Sequence, residues 1–134
     1  MSSTMQAVTI SVSIESPPQD VYEYAANPAN SPEWLTSFCV SARPAEDEWI
    51  LETAAEGTMG LRYVESNPYG VLDHRIRLET GETFVNPMRV IPNGTGSEVL
   101  FTLFRREGVT EAQFKRDAEM VRSDLLSLKR VLEK

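Results

Sequence analysis

From Thr110 to Lys134 the apolar side chains Phe114, Ala118, Val121, Leu125, Leu128 and Leu132 recur at steps of four and three. That spacing puts all six on one stripe of a helix. Thr110 with Gln113 reads as a capping box, and Glu111 suits the positive end of the helix dipole. Such a helix is roughly 35 Å long at about 1.5 Å per residue, so it needs a broad surface to lie on. Upstream the period changes to two: Val8, Ile10, Val12 and Ile14 alternate with Thr9, Ser11 and Ser13, as in a strand with one buried face. Ser16-Pro17-Pro18-Gln19 then reads as a Ser N-cap with proline in the first turn of a short helix, whose inner face is Val21, Tyr24 and Ala25. Asn27-Pro28 ends it, and Ser31-Pro32-Glu33-Trp34-Leu35 repeats the start signal for a second short helix carrying Trp34 and Phe38. The polar residues Met1 to Gln6 are expected to fray.

Beyond Cys39 the pattern is one of successive hairpins, and turn chemistry predicts their registers. Ala55-Glu56-Gly57 as a three-residue loop sets Thr53 opposite Met59, Leu51 opposite Leu61 and Trp49 opposite Tyr63. Ser66-Asn67-Pro68-Tyr69 as a four-residue turn sets Tyr63 opposite Leu72 and Leu61 opposite His74. Glu79-Thr80-Gly81 pairs Ile76 with Phe84, His74 with Asn86 and Leu72 with Met88. Asn93-Gly94 pairs Met88 with Val99, Asn86 with Phe101 and Phe84 with Leu103. Together these registers gather Trp49, Leu51, Met59, Leu61, Tyr63, Leu72, Ile76, Phe84, Met88, Val99, Phe101 and Leu103 on one face. Glu52, Arg62, Asp73, Arg75, Arg77, Arg89 and Glu98 fall on the other, with Arg89 and Glu98 directly across from one another. The expected fold is α+β: a seven-stranded antiparallel sheet wrapped around a long C-terminal helix, with two short helices between strands one and two.

Composition narrows the function classes. At 134 residues the chain is expected to form a single domain, 1–134. A net charge of −7 disfavours nucleic acid and anionic membranes. No apolar run reaches the ~20 residues of a membrane span, and the start lacks the pattern of a signal peptide, so no membrane insertion and a cytoplasmic location are expected. One His and one Cys make no metal cage, and the seven glycines form neither a phosphate loop nor a dinucleotide fingerprint. Neither metal nor cofactor is expected. Cys39 falls on the outer-face parity with no base beside it and receives no role.

The order of elements resembles the helix-grip fold of the START-like or SRPBCC superfamily, which includes polyketide cyclases and the Bet v 1 allergens. Ser-Pro-Pro-Gln-Asp-Val at 16 to 21 and Ser-Pro-Glu-Trp at 31 to 34 are similar to that group. So are Gly-Val-Leu-Asp-His at 70 to 74, Asn-Pro-Met-Arg-Val at 86 to 90, Phe-Thr-Leu-Phe-Arg at 101 to 105 and the terminal helix, the last three as in a bacterial branch. The resemblance implies a cavity between curved sheet and long helix, with its mouth near Ala54 to Gly57, Glu79 to Glu82 and Arg106 to Thr110.

Four polar residues interrupt the apolar face: His74, Asn86, Tyr63 and Thr53. His74 is the one able to exchange a proton near neutral pH; the plainer reading, placed first, is a histidine satisfied by Asn86 or a buried water that tunes the pocket's polarity without chemistry. Three functions are consistent with this pattern. The first is binding of a hydrophobic or amphipathic small molecule by Trp49, Leu51, Met59, Leu61, Tyr63, Leu72, His74, Ile76, Asn86, Met88, Phe101, Phe114, Val121 and Leu125. The second is a cyclase- or dehydratase-like enzyme in which His74 is the general acid/base and Asn86 and Tyr63 hold a carbonyl oxygen. The third is an interaction module with a filled core, for which a homodimer is one form. Trp34 either closes the back of the cavity or packs the short helices onto the sheet. Asp117 and Arg122 lie off the helical stripe and read as solvated charges, and Arg105-Arg106, near the implied mouth, reads as a solvated strand end ahead of the alternative, a pair that attracts an acidic head group.

Overall fold

The alternating segment forms β1 (Ala7–Ile14), followed by α1 (Pro18–Ala26), a 3-10 turn (Pro28–Asn30) and α2 (Ser31–Trp34). The hairpin region supplies β2 (Cys39–Pro44), β3 (Trp49–Thr53), β4 (Thr58–Tyr63), β5 (His74–Arg77), β6 (Thr83–Asn86), β7 (Met88–Asn93) and β8 (Gly96–Phe104), and α3 (Glu111–Leu132) completes the chain. This computed structural model describes residues 3–134; Met1 and Ser2, part of the stretch expected to fray, lie outside the described residues. Gln6, from the same stretch, is tied down: its carbonyl accepts the Arg105 N–H at 2.8 Å.

The class and the grip of sheet on helix are as expected, but the strands among the described residues number eight and divide into two sheets, β1-β8-β7 and β2-β3-β4-β5-β6. Pro87 makes the division. It has no N–H for the ladder, and its carbonyl accepts from Thr102 at 3.0 Å, turning the chain from one sheet into the other. The sheets stay joined where Val71 bridges Arg89. There the Leu72 N–H donates to the Met88 carbonyl and the Val90 N–H to that of Gly70, both at 2.9 Å. Gly70 has φ +72°, and a Cβ on it would lie 2.1 Å from the Val90 oxygen, so only glycine permits this approach.

The β5–β6 register is the predicted one, His74 opposite Asn86 and Ile76 opposite Phe84. The other three hairpins are displaced by two residues. Leu51 faces Met59 and Trp49 faces Leu61; Tyr63 faces His74 and Leu61 faces Ile76; Met88 faces Phe101 and Val90 faces Val99. In the first, Gly57 (φ +75°) follows the three-residue loop instead of ending it. In the second, the Asn67 side chain organises a longer loop: its Oδ1 accepts from the N–H of Tyr69 and of Val71, while its Nδ2 donates to the carbonyls of Glu65 and Val71. In the third, Asn93 is the last strand residue opposite Gly96. A two-residue displacement leaves every side chain on its original face, so the inner set survives. Particular pairs do not. Arg89 bonds Asp73, not Glu98, and Glu98 accepts from Ser13 and Asn93.

Cys39 is inward-facing and buried, packed with Leu51, Leu61 and Ile76. A register irregularity between Cys39 and Ser41 reverses the expected parity, and burial pushes its thiol up to about 11. The two short helices start without serine caps. Pro17 precedes α1 with no side-chain bond; Ser31 lies inside α2, whose cap position is Asn30. Phe38 follows α2 rather than riding on it. Thr110 does cap α3, accepting the Gln113 N–H at 3.1 Å, whereas the Gln113 amide donates to Asp117 instead of returning to the cap.

The main core joins Ile10, Ile14, Val21, Trp34, Val99 and Leu128 between the three-stranded sheet, the short helices and α3. A smaller cluster sits on the five-stranded sheet. The helix packs against β1, β8 and α2, which leaves space between its N-terminal half and the five-stranded sheet. No helix among the described residues is long and apolar enough to cross a membrane.

Candidate functional site

That space is a cavity of about 830 Å³, within the about 300–1,000 Å³ range of small-molecule sites. A single water occupies about 30 Å³ of liquid, so a core filled throughout, the premise of the interaction-module reading, is not what this chain builds. Leu51, Met59, Leu61, Tyr63, His74, Ile76 and Asn86 line it from the five-stranded sheet, Phe101 from β8, and Val121 and Leu125 from α3. Trp49, Leu72, Met88 and Phe114, also expected there, do not. Leu72 and Met88 lie on the far side of the break at Pro87, 1% and 0% exposed in the main core. Phe114 is buried away from the space, and Trp49 sits at the end of β3 opposite Pro44. Ala54, Ala55, Glu56, Arg106 and Val109 border the space at the expected mouth. Glu82, from the Glu79 to Glu82 loop, reaches it by an ion pair to Arg106 at 2.7 Å.

His74 is buried among aromatic rings, its centroid 5.2 Å from that of Tyr63 and 5.6 Å from that of Phe101. Its Nδ1 lies 3.0 Å from the Leu72 carbonyl oxygen. A carbonyl only accepts, so Nδ1 carries the proton and Nε2 keeps its lone pair. Nε2 faces the Asn86 amide nitrogen across the ladder at 3.4 Å, a long contact. Burial lowers the imidazole pKa from its ordinary value, outweighing the Leu72 bond and the Asp73 charge, so the ring is neutral near pH 7. Burial also raises the Tyr63 phenol, which remains a proton donor. Thr53 also lines the space, but its hydroxyl donates to the Gly57 carbonyl at 2.8 Å and closes the β3–β4 turn.

Opposite this group stands a second polar region that the hydrophobic pattern did not reveal. Asp124, 4% exposed, accepts from the Ser37 N–H at 2.9 Å and the Ser37 hydroxyl at 2.7 Å. Both residues line the cavity. Burial pushes the Asp124 carboxyl up to about 6 even though Ser37 opposes the shift. Asp117 also lines the space, half-buried and bonded by Gln113 at 2.6 Å, rather than being a solvated charge. The readable signal was spacing: Asp117 follows Phe114 by three residues and Asp124 follows Val121 by three, which places both carboxylates beside the apolar stripe. Arg106 is likewise no solvated end, since its guanidinium lies 3.9 Å over the Phe84 ring. Arg105 fastens the strand end, donating to the Val109 carbonyl at 2.7 Å and pairing with Glu111. Trp34 takes both roles considered for it: it belongs to the core cluster and contributes to the cavity wall. Among the described residues no three His, Cys, Asp or Glu side chains gather as a metal site.

In architecture the chain is similar to XoxI from Bacillus cereus, with a TM-score of 0.75 at 16% identity over 96% of each chain. It is similar also to the di-domain ARO/CYC StfQ from the steffimycin biosynthetic pathway, with a TM-score of 0.74 at 12% identity, covering 94% of this chain and 44% of that one. A START superfamily protein from Mycobacterium smegmatis matches with a TM-score of 0.70 at 11% identity, over 95% of this chain and 97% of its own. Among curated proteins none matches the chain in sequence. These likenesses carry the fold. Residues 5–133 match the family described as polyketide cyclase / dehydrase and lipid transport, and with that match over nearly its whole length the chain belongs to this family.

Proposed function

We propose that the cavity holds a hydrophobic or amphipathic small molecule, its apolar body against the five-stranded sheet and α3 and its polar end oriented by His74, Asn86 and Tyr63. The observation that carries this reading is a half-open space of about 830 Å³ whose wall is chiefly apolar but contains a convergent polar group. Met59, Leu61, Ile76 and Phe101 supply apolar surface, and methionine adapts to irregular ligand shapes. The test is titration of the native protein with the neutral fluorophore N-phenyl-1-naphthylamine. Saturable enhancement near one probe per chain is expected; no enhancement in the native state overturns the reading.

A second reading, a cyclase- or dehydratase-like enzyme, is favoured by the His74 tautomer. With Nδ1–H held by Leu72 at 3.0 Å, Nε2 is the basic atom and can take a proton alpha to a carbonyl. Tyr63 and the Asn86 amide would then donate to the carbonyl oxygen as negative charge develops. Turnover of a β-keto thioester should show an acidic limb below the ordinary histidine value, following the downward shift of His74. Persistence of that limb in His74→Gln would remove His74 as the base.

A further inference from the structure

The ionisable side chains on the cavity wall are unbalanced in sign. Glu56, Asp117 and Asp124 contribute carboxylates, Arg106 a guanidinium and His74 a neutral imidazole. Arg106 is already committed, paired with Glu82 at 2.7 Å and stacked 3.9 Å over Phe84. Asp124 is 4% exposed, yet its hydrogen-bond partner is the neutral Ser37. None of the ion pairs among the described residues includes it. A buried carboxylate served only by neutral donors is a charge still lacking its counterion. Each carboxylate oxygen has two acceptor sites, so both Asp124 oxygens retain capacity beyond Ser37.

Asp117 stands seven residues earlier on α3, two helical turns or about 10 Å along the axis. Its Oδ1 accepts from Gln113. Met120 and Val121 line the stretch of wall between the two acids.

We infer that the ligand is a hydrophobic amine: an apolar body carrying a basic nitrogen whose ammonium sits against Asp124 or Asp117. This inference rests on the ligand-binding reading above and adds the charge class. An ammonium supplies the missing counterion and donates charge-assisted hydrogen bonds to the oxygens Ser37 leaves open. A carboxylate ligand of the same length brings a like charge against the same wall with no uncommitted cation to receive it, which is disfavoured.

The experiment is displacement of N-phenyl-1-naphthylamine at pH 8 by decylamine, decanol and decanoate, which share a chain and differ in headgroup. Decylamine is expected to displace the probe at concentrations at least about tenfold below decanoate, a ratio equivalent to about 1.4 kcal/mol, with decanol between. Asp124→Asn and Asp117→Asn are each expected to narrow that ratio, so the second variant keeps the test alive should the first fail to fold. Glu119→Gln, which removes an exposed carboxylate from the same helix, serves as control for the overall charge of −7 and should leave the ratio unchanged. Equal displacement by all three compounds overturns the amine inference while the ligand-binding reading stands. Displacement by none, or no probe binding, overturns both. A narrowing by Glu119→Gln as large as that by Asp124→Asn assigns the preference to net charge and overturns the inference.

Discussion

Asp124 in the middle of α3 receives two hydrogen bonds from Ser37, one from the backbone N–H at 2.9 Å and one from the hydroxyl at 2.7 Å. Three residues on, Ser127 pairs with Thr36 at 3.1 Å. The connection between α2 and β2 is thereby fastened to the helix along one side of the cavity. Burial pushes the Asp124 carboxyl from 3.8 up to about 6, so the fold favours the protonated acid. Its contribution is full below about pH 4 and is lost as pH rises to about 6, with an upper bound of about 3 kcal/mol. Urea midpoints of wild type and Asp124→Asn across pH 4 to 8 are the check. The variant should gain on wild type as pH rises; a constant difference would mean that Asp124 keeps its ordinary acidity.

His74 acts in the opposite direction. Its folded pKa is lowered by burial, so its contribution is present above the ordinary value of 6.5 and is lost as pH falls through the folded value. His74→Gln should remove that acid-side loss. His74→Ala leaves Asn86 facing an empty position and takes the imidazole away from the Tyr63 and Phe101 rings that pack on it. A loss of about 1–3 kcal/mol is expected, with the folded fraction retained and probe binding or turnover altered. Unfolding with unchanged affinity per folded molecule would make His74 a structural residue.

Val121 and Leu128 share the helical stripe but face different surroundings. Val121 lines the cavity, whereas Leu128 is 0% exposed in the main core. Val121→Trp should enter vacant volume, leaving stability level while excluding N-phenyl-1-naphthylamine. Leu128→Ala should cost about 2–5 kcal/mol. Denaturation midpoints read alongside probe fluorescence test the contrast. A loss of about 1–3 kcal/mol in Val121→Trp, as in an overpacked core, would show that the space closes in solution.

Gly70→Ala tests the junction of the two sheets. Its new Cβ would lie 2.1 Å from the Val90 carbonyl oxygen at a φ of +72°, so backbone must move and the Val90-to-Gly70 hydrogen bond with it. A loss of about 3 kcal/mol or more is expected by calorimetry. Gly94→Ala, with positive φ but open space around the site, should cost less. Equal losses would assign the effect to backbone conformation alone.

Periodicity determined the helix from Thr110, the strand from Val8 and, apart from Cys39 beside the irregularity in β2, the inner and outer faces of the hairpins, because side-chain direction repeats every two residues in a strand and every 3.6 in a helix. The Glu79-Thr80-Gly81 turn signal set His74 opposite Asn86. Periodicity left open the absolute register of three hairpins, since a displacement of two residues alters partners without changing faces and short-range turn chemistry cannot distinguish the alternatives. Only tertiary structure decided that Pro87 divides the strands into two sheets, which sends Leu72 and Met88 to the core and leaves Tyr63 and His74 at the cavity. Only tertiary structure, too, brought Ser37 to Asp124. Those residues lie 87 positions apart, and a carboxylate beside an apolar stripe has the same sequence signature whether it meets water or a wall. Which it meets depends on where α2 and β2 pack against the helix.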